Sequence, residues 1–234
     1  MSDAGEAAWQ HPQLVAEFLD RRHAVLPLLD VQEDLVRRLF ERHPRKPTRF
    51  LDIGSGDGAM TELLRSVLPD AQSLLIDFSE PMLARAEARL GTEGGWQTLA
   101  RDLTRPGWQE GLEPASFGAA VSSFAIHHLE AERKRELFAE IFDLLEPGAM
   151  FVNMDVVTVA GPLAGLFDEQ MAANDAVYVN HEGEGHVALP DDHSEDRPDS
   201  AESQLGWLRE AGFADVELNF KWAEGAIFGA VKPE

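Results

Sequence analysis

Short apolar runs alternate with amphipathic stretches through residues 49–156, and this alternation sets the expected architecture. Runs such as Phe50-Leu-Asp-Ile53 and Leu74-Leu-Ile76 are too short for helices and too continuously apolar for surface strands, so they read as buried strands. Strands are predicted at 49–53, 72–77, 95–100, 117–122 and 148–156, with helices at 58–67, 80–90 and 130–145. The first of these helices carries Met60, Leu63, Leu64 and Val67 on one face. Ser79 is the expected N-cap of the second, with Pro81 in its first turn. Strands alternating with helices imply parallel crossovers, hence an α/β chain with a doubly wound sheet. Two more strands at 213–220 and 225–232 predict a closing antiparallel hairpin and bring the sheet to seven strands.

The flanking segments divide the chain into four parts. Residues 1–47 read as an N-terminal helical cap, two helices broken near Pro27. Val15, Phe18, Leu19 and Arg22 share a face of the first; Leu28, Leu35, Val36, Leu39 and Phe40 have helical spacing in the second. Residues 48–158 form the core. Residues 159–200 form an insertion: a helix from Pro162 to Val179, with Leu163, Leu166, Phe167 and Met171 on one side, then an acidic, glycine-containing lid or loop, 180–198. Residues 201–234 supply a helix with Leu205, Trp207 and Leu208, and then the hairpin.

The candidate chemistry begins at the first turn. Phe50-Leu-Asp52-Ile-Gly54-Ser55-Gly56-Asp57-Gly58-Ala59 joins a buried strand to an apolar helix through three glycines. Such a turn brings backbone close to a ligand and offers free N–H groups at the helix start. Read as Gly54-x-Gly56-x-x-Ala59, it fits a dinucleotide fingerprint. A pyrophosphate prefers a helix N-terminus free of acids, whereas Asp52 and Asp57, in and beside this turn, suit a cation. Asp77, ending the second strand, has the position that accepts ribose hydroxyls, which marks an adenosine without choosing the reaction.

Read as Asp52-x-Gly54-x-Gly56-x-Gly58, the same turn resembles the first motif of class I S-adenosylmethionine (SAM)-dependent methyltransferases. Three further segments resemble that family in the right order. They are Ile76-Asp77-Phe78-Ser79-Glu80-Pro81-Met82, then Arg101-Asp102-Leu103, then Ser122-Ser123-Phe124-Ala125-Ile126-His127-His128 with Leu145-Glu146-Pro147-Gly148 beyond. The resemblance implies a Rossmann-like fold with SAM held by Asp52, Gly54, Ser55, Gly56, Gly58, Asp77, Phe78, Met82, Asp102, Leu103 and Ser123. It gives Asp102 to the adenine amino group, Leu103 to the ring, and Ser123 to the strand end facing the methyl group. The product would be S-adenosylhomocysteine (SAH). The family often lays N-terminal helices over the cofactor, making Trp9, His11, Phe18, Arg21, Arg22 and His23 candidate lid residues, with Tyr178 and His181 from the insertion. His128 is the candidate general base or nucleophile-positioning residue, because imidazole titrates near neutral pH; His127 is expected to pack at the turn.

Composition narrows the partners. Forty-two acids against 20 bases give a net charge of −22, which opposes a nucleic-acid substrate because phosphate contacts need Lys and Arg. No apolar run is long enough to span a bilayer, the N-terminus lacks a signal pattern, and there are no cysteines; a cytoplasmic protein is expected. The loop residues His181, Glu182, Glu184, His186, Asp191, Asp192 and His193 match no tight metal spacing, so no metal is expected there. The expected function is methyl transfer from SAM to a small molecule. An NAD-dependent oxidoreductase and a catalytically silent SAM-binding scaffold or regulator stay open, as does a homodimer.

Overall fold

The computed structural model describes residues 19, 21–92, 94–182 and 196–234, with the helical backbone alone given for 178–182. Seven strands form one sheet in the order β3-β2-β1-β4-β5-β7-β6. They are β1 (Arg49–Ile53), β2 (Gln72–Asp77), β3 (Trp96–Ala100), β4 (Phe117–Ser123), β5 (Leu145–Val156), β6 (Ala214–Trp222) and β7 (Gly225–Val231). The first five run parallel; β7 lies antiparallel to β5 and to β6. The chain winds outward from β1 to β3 and then returns to β4 on the other side of β1. That reversal opens a crevice at the carboxyl ends of β1 and β4, where ligands of such sheets bind.

Both faces of the sheet are covered. On one, α4 (Ala131–Leu144) and α6 (Ala201–Glu210) bury Leu137, Phe138, Ile141 and Leu208 against Leu51, Ile53, Phe151 and Phe228. On the other, α1 (Leu29–Arg42) and α2 (Ala59–Arg65) bury Val36, Phe40, Met60 and Leu64 against Phe50, Val121 and Val152. This is why β1, β2 and β4 read as unbroken apolar runs: a strand covered on both faces has no solvent side. On edge strand β6 most residues stay exposed. α3 (Glu80–Leu90) begins as expected, with Ser79 Oγ accepting from the Met82 N–H and Pro81 in the first turn.

Three expectations are corrected. Leu28 does not share the buried face of α1. It precedes the helix in a left-handed conformation (φ 57°) and is 45% exposed. Leu163 is likewise exposed, in a 3-10 turn before the insertion helix, which starts at Leu166 as α5 (Leu166–Glu182) and buries Phe167. β5 begins at Leu145 rather than 148: Leu145 pairs with Phe117, and the ladder shifts register before resuming at Ala119–Met150. Pro147, which has no N–H to donate, falls within that interruption. Among the described residues no helix is long and apolar enough to cross a membrane.

Candidate cofactor and acceptor site

β1 carries Asp52 into the interior and the glycine turn leads straight out of it. The Asp52 carboxylate is fully buried, and its Oδ2 accepts a 2.6 Å hydrogen bond from the Thr61 hydroxyl on α2. Oδ1 is buried with no hydrogen-bond partner among the described residues. Burial pushes this carboxyl up to about 7, against the pull of the Thr61 hydrogen bond. Gly54 has φ +65°, and a Cβ there would stand 2.2 Å from the Cβ of Ala125. The turn is tied to β2 by the Ser55 N–H on the Ile76 carbonyl (2.9 Å), and the buried Ser55 hydroxyl has no hydrogen-bond partner among the described residues.

Asp77 organises the neighbouring strand end. Its Oδ2 accepts from the Gly56 N–H and its Oδ1 from the Ser79 N–H, both at 2.8 Å. Burial raises its carboxyl above the ordinary range although these backbone donors favour the charged form. Met82 lies below Gly56, its sulfur 3.9 Å from where a Cβ would be. Leu103 is partly buried and its Cδ1 is 4.0 Å from the corresponding point at Gly54, so it borders the turn. Asp102 is engaged within its own loop: Oδ1 accepts from the Thr104 N–H and hydroxyl, and Oδ2 pairs with Arg105 at 3.0 Å. Phe78 and Ser123 are half-buried at the strand ends.

Asp57 does not face a ligand as a free anion. Arg22 donates to its Oδ1 at 2.8 Å, and Arg89 on α3 reaches both its Oδ2 and its carbonyl oxygen. Arg22 is therefore a clamp that holds the N-terminal segment on the glycine turn, rather than a residue turned to substrate. The negative field of the site comes from Asp52 and Asp77, neither of which has an ion-pair partner among the described residues. The buried, unpartnered Asp52 Oδ1 and Ser55 Oγ, beside a backbone bare of side chains, fit a ligand with a cationic, hydrogen-bonding end such as the methionine part of SAM.

Asp52 gives a pH test. A raised folded-state pKa means that, between the ordinary 3.8 and about 7, the native chain holds a proton that the unfolded chain has released. Stability of the cofactor-free protein from this group therefore falls as pH rises through that window and is level above it. Asp52→Asn removes the dependence. Thermal melts between pH 5.5 and 8 should show the variant gaining on wild type as pH rises; parallel curves would contradict the assignment.

Beyond β4, a 3-10 turn (Ile126–His128) presents the two histidines. His127 is buried; its N–H and Nδ1 both engage Asp155 of β5, at 3.0 and 2.5 Å. Burial opposes its charge, but Asp155 and Asp196 outweigh it and raise the imidazole to about 9. His128 is half-buried with Nδ1 3.1 Å from Asp196 Oδ1, and burial first, then the charge of His127, lowers its pKa. Residues 196–199 are held here by the Arg197 N–H on the His127 carbonyl and by buried Lys134, which donates to Asp199 at 2.7 Å. Sequence reasoning missed Asp155 and Asp196. Asp155 had a signal, an acid inside the apolar strand Phe151-Val-Asn-Met-Asp-Val156; Asp196 had none. Phe18, Trp9 and His11 lie outside the described residues, and Tyr178 and His181 fall on the last turns of α5.

Residues 50–148 match a family model described as a methyltransferase domain. The matched segment runs from the start of the glycine motif through β4 and its histidines to the start of β5. Over these residues the chain is similar to methyltransferase domains. The chain is 31% identical over 212 residues to a malonyl-[acyl-carrier protein] O-methyltransferase of Alcanivorax borkumensis, covering 89% of this chain and 62% of that protein. It is 24% identical over 264 residues to a carboxy-S-adenosyl-L-methionine synthase of Desulfotalea psychrophila, covering all of both chains. The crystal structure of the S-adenosylmethionine-dependent methyltransferase SibL in its apo form shares the fold, with TM-score 0.58 and 23% identity over 88% of this chain and 57% of that one. The chain thus spans under two thirds of the O-methyltransferase and of SibL.

Proposed function

We propose that the protein transfers a methyl group from SAM to a small-molecule acceptor. The observation that carries this reading is the pair of buried carboxylates, Asp52 and Asp77, flanking the glycine turn without basic partners. Two such acids would repel the pyrophosphate of a dinucleotide and favour the sulfonium and ammonium of SAM. Asp77 would take the ribose hydroxyls, Asp52 and the Gly54–Gly58 turn with Ser55 the methionine end, and Leu103 the adenine ring between Phe78 and Met82. Asp102 would take the adenine amino group with the lone pairs its own loop leaves. Bound SAM supplies an electrophilic methyl group on a good leaving thioether. The protein's part is then alignment and exclusion of water, with Ser123 and His128 on the acceptor side and Phe18, Tyr178 and His181 from the flanking segments. The chain's net charge of −22 supports a small acceptor over a nucleic acid.

The full-length alignment with a carboxy-SAM synthase supports a second reading, in which SAM itself is the molecule modified. Incubating the protein with SAM and a panel of hydroxyl, carboxyl, amine and thiol compounds, with mass-spectrometric readout, separates the two. SAH together with an acceptor heavier by one methylene is the expected result. Formation of carboxy-SAM would establish the second reading. SAM binding with no product across the panel would contradict both and favour the silent scaffold.

A further inference from the structure

We propose that His127, His128 and Asp196 form a binding site for one divalent first-row transition-metal ion at the acceptor end of the cleft. Three ligand atoms converge there: His127, His128 and Asp196 each offer one, all within 4.8 Å of one another. Asp196 Oδ1 is 3.4 Å from His127 Nε2 and 3.1 Å from His128 Nδ1. Ligands about 2.1 Å from a common ion stand about 3.0 Å apart at a right angle and about 3.4 Å apart at the tetrahedral angle. The two separations to Asp196 Oδ1 fall within that range.

Two further observations point to a ligand. Among the described residues, buried His128 Nδ1 makes no well-aligned hydrogen bond, although Asp196 Oδ1 stands 3.1 Å away. Asp155 holds His127 through Nδ1 and the backbone N–H together. That leaves Nε2 as the outward atom, the carboxylate–histidine arrangement that orients metal-bound imidazoles. A second cluster, His23, Asp30 and Glu33, is more exposed, and among the described residues no buried carboxylate pairs with its histidine. Two nitrogens and one oxygen suit zinc, iron, manganese, cobalt or nickel more than magnesium or calcium. Three protein ligands leave at least one position open. In the methyl-transfer reading, on which this role rests, that position takes an oxygen of the acceptor and lowers its proton affinity, so the acceptor class is oxygen-bearing.

The test is calorimetric titration of chelator-treated protein with Zn2+, alongside the visible absorption of added Co2+. One equivalent bound at micromolar or tighter affinity is expected, with Co2+ bands showing nitrogen and oxygen ligation. His128→Ala and Asp196→Asn should each weaken binding at least tenfold, and Asp155→Asn should weaken it although it is not a ligand. Affinity for SAM should be unchanged in His128→Ala, which separates failure of this site from failure of the methyltransferase reading. Absence of saturable Zn2+ binding to wild type would overturn the proposal. So would binding that survives both ligand substitutions, since the ion would then sit among other histidines.

Discussion

Gly54→Ala is expected to lower the melting temperature by roughly 5–15 °C and to abolish measurable SAM binding. The added Cβ would lie 2.2 Å from the Cβ of Ala125 and 3.7 Å from its Cα, so no flexible side chain can swing away. Overpacking of this kind costs about 1–3 kcal/mol. The left-handed backbone at φ +65° adds about 1 kcal/mol for a residue with a side chain. For a domain of this size each kcal/mol moves Tm by about 2–4 °C. The relief of the backbone would come from moving β1 away from the loop after β4, which is the crevice itself, so binding fails along with stability. Ala125→Gly in the same chain should recover the overpacking part and leave the backbone part. A single variant that melts with wild type would show that the turn is not packed as described.

Asp77→Ala is expected to weaken SAM binding by 100-fold or more, about 2.7 kcal/mol, with a smaller loss of stability. The carboxylate does two things. It fixes the Gly56 and Ser79 N–H groups, and it presents its remaining lone pairs at the end of β2. Alanine leaves two backbone donors unpaired beside the cleft. Asp77→Asn should fall between, since an amide can accept one of the two bonds but turns a donor toward the other. Calorimetry on each variant, paired with its melting curve, separates lost contact from lost fold. An unchanged affinity in Asp77→Ala would remove this residue from the cofactor site.

The parts of the fold that could be read in advance are those governed by local pattern. β1, β2 and β4 are covered on both faces and are therefore mostly apolar, with acids or serines near their carboxyl ends; Ser79 and Pro81 mark the start of α3 through local chemistry. The hairpin follows from two runs joined by a short turn. Residues 28 and 163 were misread because an apolar side chain at helical spacing says nothing of where a helix begins. Leu28 stands just outside α1 and Leu163 outside α5, so neither reaches the buried face. The Asp57 clamp was invisible because its partners are 35 and 32 residues away, on segments brought together only by the fold. This changes the electrostatic argument. Asp57 is neutralised by Arg22 and Arg89, and the attraction for a cation rests on Asp52 and Asp77 alone. The histidines were legible as residues but not as a pair with distinct surroundings. His127 is fixed from behind by Asp155, 28 residues on, while His128 meets Asp196, which arrives from the far end of the insertion.

The glycine turn and its two acids, Asp52 and Asp77, are expected to bind SAM. Calorimetric titration of wild-type protein with SAM, SAH and NADH tests this most directly. Micromolar binding of SAM and SAH with no heat from NADH is the predicted result; NADH binding in the absence of SAM binding would contradict it.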